Sequence, residues 1–190
     1  MGHKMLLFSS AGFYRWTAAS QPADPFAAHI WANVAIPCCK QHFLWLVHRH
    51  RLPSAALLHH RNIIDSPSCT FRGAREDQDH LLLRCNRARR IWRLLGWPSV
   101  PYLSSFRELW TLPELPDGTV PSARSAILAA ILWHIWKGRN ELVSNGVHVP
   151  PRTTFTAIAT DLELWKHRTK DESARTSLVL WSLHFRNIVI

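Results

Sequence analysis

The 190-residue sequence predicts an all-α protein, a compact irregular helical bundle. The first observation is the spacing of its apolar residues, which recur three and four positions apart in most segments, as one face of an α-helix requires. The second is the placement of proline and of asparagine–glycine, which separate these segments. Because 47% of the residues are hydrophobic and ten are tryptophan, the chain can bury one sizeable core, or one core plus an appendage.

Four helices are predicted in the first third of the chain, over residues 8–19, 25–34, 40–51 and 55–60. The second has Asp24 as its N-cap and Pro25 at its first helical position, a combination that favours helix initiation. The third is apolar on most sides, which predicts a central place in the core. Pro53 ends that helix, and Ser54 caps the fourth. Residues 61–68 are predicted to be a loop.

The middle of the chain is predicted to hold shorter helices, over residues 78–84, 87–95 and 106–112. The second of these has the i, i+3, i+4, i+7 spacing of a one-sided helix in Ala88, Ile91, Trp92 and Leu95. Trp92 is therefore predicted to be a core residue. Asn86 is the candidate N-cap of this helix, and Gly96 ends it. Residues 113–121 form a turn-rich linker.

The last third is predicted to contain two further helices and one ambiguous segment. Ser122 caps a long helix that ends at Asn145-Gly146, a left-handed stop signal. A final amphipathic helix follows Pro150-Pro151, with apolar residues spaced 3, 4 and 3 at Phe155, Ile158, Leu162 and Trp165. Residues 171–190 include an apolar stretch without a clear period, so both helix and strand remain open for them.

The charge is strongly positive and uneven. Residues 1–95 carry 13 Lys+Arg against 5 Asp+Glu, a net charge of +8, whereas residues 96–190 carry 10 against 8, a net charge of +2. A basic, arginine-rich half favours an anionic partner, and nucleic acid, RNA or DNA, is the first candidate. The alternative is a solvated surface of moderate positive charge.

Several classes of protein are disfavoured by what the sequence lacks. Four cysteines, of which Cys38 and Cys39 are adjacent, do not make a disulfide framework. The apolar run over residues 5–8 is too short for a secretory signal, and the longest run, residues 126–135, is far shorter than the roughly 20 residues of a membrane span. We therefore expect a soluble intracellular protein, nuclear or cytoplasmic, with no membrane partner and no small-molecule substrate.

Catalytic motifs are also lacking. The sequence contains no glycine-rich phosphate loop, no Gly-x-Ser-x-Gly and no His-Glu-x-x-His. Its acidic residues are scattered or occur in pairs that look exposed, such as Glu76-Asp77. We expect no enzymatic activity and no catalytic residue.

Three residues between positions 69 and 85 are candidate metal ligands. Cys69, His80 and Cys85 supply the thiolate and imidazole groups that zinc takes in tetrahedral sites. A Cys-x2-Cys knuckle would need its second cysteine at position 72, which is arginine, and a guanidinium has no lone pair for a metal. His80 and Cys85 are separated by about 500° of α-helical rotation, so they diverge unless the helix ends between them. The sequence therefore predicts a degenerate zinc-knuckle-like loop.

Two questions about this site stay open at the level of sequence. Substitutes for the missing ligand are available at Cys38, Cys39, His59, His60 and Asp79, and the sequence places none of them. In the alternative interpretation, Cys69 and Cys85 are small buried hydrophobic residues and no metal is bound.

The helix that follows the candidate ligands is rich in arginine. Its candidate nucleic-acid-binding residues are Arg84, Arg87, Arg89, Arg90 and Arg93. Arginine can bond two phosphate oxygens at once, so this set could contact a nucleic-acid backbone. A solvated helix face is the alternative.

A family resemblance connects these observations. Its motifs are Phe43-Leu44-Trp45-Leu46, Arg51-Leu52-Pro53-Ser54, Cys69, Asp79-His80-Leu81-Leu82-Leu83-Arg84-Cys85 and Ala88-Arg89-Arg90-Ile91-Trp92. Together they resemble the zinc-binding domain that follows reverse transcriptase in plant LINE-type retrotransposons. The segment from Ile131 to Asn140 resembles the tryptophan-rich helix that such polyproteins carry further downstream.

The resemblance implies a division of the chain and a function. Residues 8–97 would form the zinc-binding domain, residues 98–121 a linker with a short helix, and residues 122–190 a C-terminal helical region. The family ligands, Cys, Cys, His and Cys, fall on Cys69, Arg72, His80 and Cys85, so zinc is the implied cofactor of a weakened site. The implied function is that of a non-catalytic, nucleic-acid-binding accessory domain derived from a retroelement. The alternative is a vestigial or protein-interacting helical domain that binds neither metal nor nucleic acid.

Overall fold

The computed structural model describes residues 9–10, 12, 15, 24, 26–71, 73–112 and 119–189. Within these ranges the chain forms seven named α-helices and no strand, which confirms the all-α prediction. The α-helices are α1 (Ala27–Trp31), α2 (Cys38–His48), α3 (Ala55–His60), α4 (Asn86–Leu94), α5 (Pro121–Asn145), α6 (Pro151–Trp165) and α7 (Glu172–Asn187). A π-helix spans His80–Arg84, and short 3-10 helices span Val100–Tyr102, Phe106–Trp110 and Lys166–Arg168. None of these helices is both long enough and apolar enough to cross a membrane.

Most of the predicted helices are found at or near their predicted positions. The helix expected over residues 8–19 falls largely outside the described residues. Helix α1 ends at Trp31, three residues before the predicted end. The reason is Asn33, whose side chain accepts a hydrogen bond from the N–H of Ala35 at 3.1 Å and turns the chain out of the helix. Residues 172–187, left open between helix and strand, are helical and begin at an Asp171 cap.

The helix caps show where local signals were sufficient. The Oγ of Ser54 accepts a hydrogen bond from the N–H of Leu57 at 3.3 Å, as predicted for α3. Asn86 and Ser122 were wrongly predicted as caps, because both lie inside their helices. Helix α5 begins instead with Pro121, whose fixed φ and missing N–H suit the first helical position. It ends at Gly146 in the left-handed conformation, with φ of 67°, as expected.

Helix α5 is the centre of the core. All its residues from Ser125 to Leu132 are buried, and it contacts α1, α2, α4, α6, α7 and the π-helix. On the α2 side, the Lys40 ammonium lies 5.0 Å from the centroid of the Trp133 ring, and Phe43 packs edge-on against that ring at 5.3 Å. The segment that resembles the tryptophan-rich helix is therefore packed directly against the segment that holds the Phe-Leu-Trp-Leu motif.

A buried ion pair joins α5 to the loop before the π-helix. Arg139 Nη2 lies 2.5 Å from Glu76 Oε1, and Arg139 Nε donates to Glu76 Oε2 at 3.3 Å. The same Oε1 accepts the N–H of Ala55 at 2.9 Å, and the Glu76 carbonyl accepts the N–H of Ala56 at 2.9 Å. Glu76 is only 2% exposed, so its predicted place in an exposed acidic pair was wrong.

Gly138 makes room for a second arginine against α5. A Cβ at this position would lie 1.7 Å from Nη2 of Arg87 and 2.5 Å from its Cζ. The absence of a side chain lets the Arg87 guanidinium lie on the helix, where its Nη1 donates to the Ile135 carbonyl at 2.7 Å. Arg87 thereby links α4 to α5.

Candidate metal centre and arginine surfaces

The π-helix brings His80 and Cys85 to the same side of the chain. The N–H of Cys85 donates to the His80 carbonyl at 2.6 Å, which is the i to i+5 hydrogen bond of a π turn. At the other end, Asp77 Oδ1 accepts the N–H of His80 at 2.6 Å. Cys85 then leaves the helical region, with φ of −56° and ψ of 143°. The divergence expected of a regular α-helix is avoided because the turn is one residue wider.

Cys69 reaches the same place from a tight turn. Ser68 and Arg75 form an isolated antiparallel bridge. Between them, the N–H of Cys69 donates a hydrogen bond to the Ala74 carbonyl at 2.7 Å. The N–H of Gly73 donates back to the Cys69 carbonyl at 2.8 Å, and Gly73 has φ of 66°, a conformation that suits glycine. Position 72 is outside the described residues.

The three candidate ligands converge. One ligand atom from each of Cys69, His80 and Cys85 lies within 4.8 Å of the others, and the two thiol sulfurs are 3.7 Å apart. Two thiolates at the usual Zn–S distance of about 2.3 Å in a tetrahedron would be about 3.8 Å apart. The Nε2 of His80 is buried and has no hydrogen-bond partner among the described residues. These residues therefore fit a zinc ion on distance, burial and ligand chemistry.

Burial sets the protonation of the cluster in the metal-free chain. It lowers the pKa of His80 below its ordinary value, which favours the neutral imidazole that can bind a metal. It raises the pKa of Cys85 to about 11, and the neighbouring Cys69 thiol adds to the increase. The Cys85 thiol is therefore protonated at neutral pH, and a binding cation has to displace its proton.

No fourth ligand joins the cluster in the described part of the chain. The only group of three or more His, Cys, Asp and Glu side chains found there is Cys69, His80 and Cys85. Of the five substitutes, Cys38 and Cys39 lie exposed at the start of α2, and His59 and His60 lie exposed at the end of α3. Asp79 is partly buried, which raises its pKa, but its carboxylate stays outside the group.

The five arginines of the candidate nucleic-acid surface have different surroundings. Arg84 Nη2 donates to the carbonyls of Leu103 at 3.1 Å and Ser104 at 3.4 Å, so it, like Arg87, is engaged with neighbouring backbone. Arg89 is partly buried, and its Nε has no hydrogen-bond partner in the described ranges. Arg90 and Arg93 are exposed. The structure does not bring all five guanidinium groups to one exposed face.

A second group of arginines was not identified from the sequence. Arg49, Arg51 and Arg61 line an open cleft together with Trp45, Leu46 and Pro53. The sequence feature that could have identified this cleft is the pair Arg49 and Arg51, which lie four and six positions after Trp45, where the apolar helix ends. The apolar residues around Trp45 favoured a core position for this helix, so a surface cleft was not predicted there.

Comparison with known proteins identifies one family. Residues 8–92 match the family model described as zinc-binding in reverse transcriptase. The matched range contains Cys69, His80 and Cys85 and extends into α4. No curated protein and no solved structure gives a significant match.

Proposed function

We propose, from the match of residues 8–92 to the family model described as zinc-binding in reverse transcriptase, that the chain is a non-catalytic accessory domain that binds nucleic acid and has a degenerate zinc site. The convergence of Cys69, His80 and Cys85 carries the proposal, since the resemblance implies that three of the family's ligands fall on these positions. The motif combination further supports an origin in a plant LINE-type retrotransposon.

In this proposal the metal has a structural role. Cys69, His80 and Cys85 would hold the zinc ion, which when bound supplies a cross-link between three segments of the chain. These segments are the turn around Gly73, the π-helix and the N-cap of α4. Because Cys85 is that N-cap, fixing it also fixes the direction in which α4 presents Arg90 and Arg93.

Nucleic acid is the proposed partner on grounds of charge. The chain carries a net charge of +10, most of it in the half that contains the family match. Arg90 and Arg93 are exposed on α4 and form no ion pair with a described residue. Such side chains can bond phosphate oxygens without giving up an interaction inside the protein.

The nucleic-acid proposal predicts salt-dependent binding. The affinity for single-stranded RNA and DNA oligonucleotides, measured by fluorescence anisotropy at several salt concentrations, should fall as salt rises, because bound phosphates release counterions. Replacing Arg90 and Arg93 with glutamine should reduce the slope of log affinity against log salt by about 0.7 for each phosphate that the variant no longer binds. The same replacement of exposed Arg152 and Arg168 removes equal charge and is the control. An affinity that does not change with salt would contradict the proposal.

The zinc proposal predicts an affinity that rises with pH. The metal-free pKa of Cys85 is about 11, so binding below that pH displaces one proton from this thiol and the affinity should rise about tenfold per pH unit for each such proton. Competition of purified protein with a chelating dye between about pH 6 and 8 measures it. Cys69→Ser should lose most of the affinity, while Cys38→Ser, at an exposed thiol outside the cluster, should keep it. Binding that is independent of pH and of Cys69 would locate the metal elsewhere.

The alternative function is favoured by one observation, the arginine at position 72. If the protein binds neither zinc nor nucleic acid in these two experiments, the vestigial or protein-interacting interpretation is the correct one.

A further inference from the structure

The cleft at the end of α2 combines an aromatic ring with concentrated positive charge. It has a volume of about 700 Å³ and is lined by Trp45, Leu46, Arg49, Arg51, Pro53 and Arg61. Arg49 is the C-cap of α2, and Arg61 is the C-cap of α3. Two helix ends and the segment between them thus bring three guanidinium groups to one opening.

The three arginines have no electrostatic partner in the described part of the chain. All three are exposed, and none of their side chains forms a hydrogen bond or an ion pair with a described residue. No acidic residue lines the cleft. Arg84, Arg87 and Arg139, in contrast, are all engaged inside the fold. Arg49, Arg51 and Arg61 are therefore available to a ligand, and their positive charge favours an anionic one.

Trp45 is exposed, whereas five of the nine tryptophans in the described ranges are buried. It is 36% exposed, whereas Trp92, Trp97 and Trp165 are each below 5%. Its ring lies 5.6 Å from the ring of His42 at an interplanar angle of 26°, so the two neighbouring rings on α2 are stacked. An exposed aromatic ring in a cationic cleft is the arrangement on which unpaired bases stack while arginines hold the backbone.

We propose that this cleft binds single-stranded nucleic acid, with a base stacked on Trp45 and phosphates bound by Arg49, Arg51 and Arg61. The inference rests on the proposed function and names a site for it that is separate from the arginines of α4. The single-stranded form follows from the tryptophan, since the face of a base is accessible to a side chain only when the base is unstacked from its neighbours. An acidic peptide would satisfy the arginines but has no base to stack on the Trp45 ring.

The test compares variants of the full chain in binding a labelled oligouridine, a labelled oligothymidine and a DNA duplex. Trp45→Ala should weaken single-strand binding by about 5- to 150-fold, the equivalent of losing one stacked base. Trp45→Phe should retain most of the affinity because it keeps a ring. Arg49→Gln and Arg61→Gln should each reduce the salt slope by about 0.7. Trp31→Ala is the matched control, because Trp31 is 51% exposed but does not line the cleft.

The outcomes separate this inference from the proposed function. If the unmodified protein binds none of the three nucleic acids, the proposed function fails and the inference fails with it. If the unmodified protein binds but the Trp45 and arginine variants bind equally well, the proposed function stands and the inference is overturned. Duplex bound as tightly as single strands, with no loss in Trp45→Ala, also overturns it. The arginine variants change only exposed side chains, so they test the site even if Trp45→Ala does not fold.

Discussion

Replacing Glu76 with alanine is expected to lower the free energy of unfolding by about 3–5 kcal/mol, the usual cost of removing one partner from a buried ion pair. Glu76 is 2% exposed, and its carboxylate accepts hydrogen bonds from Arg139 and from the N–H of Ala55. Without it, the Arg139 guanidinium stays in the core, 8% exposed, with no counter-charge. Urea unfolding followed by circular dichroism gives the change.

A surface ion pair is the control for this substitution. Glu172 lies 2.7 Å from Arg175 within α7, and its side chain is 74% exposed. Removing an exposed pair of this kind costs about 0.2–1 kcal/mol. Combining Glu76→Ala with Arg139→Met should recover part of the lost stability, because the unpaired charge is then gone as well. A loss below about 1 kcal/mol for Glu76→Ala alone would mean that solvent reaches the pair in solution.

Replacing Arg72 with cysteine is expected to raise the zinc affinity by roughly 100-fold. A complete four-ligand zinc site contributes about 10–16 kcal/mol, so one ligand accounts for about 3 kcal/mol, or roughly two powers of ten. Cys69, His80 and Cys85 already converge at distances that suit the ion. The new thiol would stand at the Cys-x2-Cys spacing from Cys69 that forms a zinc knuckle. Competition with a chelator of known affinity measures the gain.

The control adds a thiol at the wrong spacing. Thr70 is exposed in the same turn, and Thr70→Cys also increases the number of cysteines by one. It should leave the affinity unchanged, because adjacent cysteines do not form the knuckle. Equal affinities for the unmodified protein and for Arg72→Cys would show that the turn no longer has the shape the fourth ligand requires.

The helices were predictable because their signals are local. Apolar spacing identified the buried face of α6, where Phe155, Ile158, Leu162 and Trp165 are all buried. The cap of α3 at Ser54 and the end of α5 at Gly146 depend on the chemistry of single residues. The apolar stretch within residues 171–190 was ambiguous in the sequence because packing against α5 and α6 decides its structure.

The candidate site was less accessible to sequence reasoning. The ligand types at Cys69, His80 and Cys85 could be read from the chain, but the π turn that brings the last two together could not, because its one extra residue leaves no compositional signal. The pairing of Glu76 with Arg139 spans 63 positions and depends on how α5 docks. The charge pattern of the sequence also cannot distinguish an arginine that is exposed to solvent, such as Arg93, from one that donates a hydrogen bond to a backbone carbonyl, such as Arg87.

The close approach of Arg87 to Gly138 should be visible in the evolution of related chains. Any side chain at position 138 would occupy the space of the guanidinium, whose Nη2 lies 1.7 Å from where a Cβ would be. A lineage that acquires alanine there gains helix propensity of about 1 kcal/mol but displaces Arg87 from the Ile135 carbonyl. The two positions are therefore expected to covary: glycine where position 87 is long and cationic, and larger residues only where it is short. Covariation of this kind would show that the family-matched region and helix α5 have evolved together.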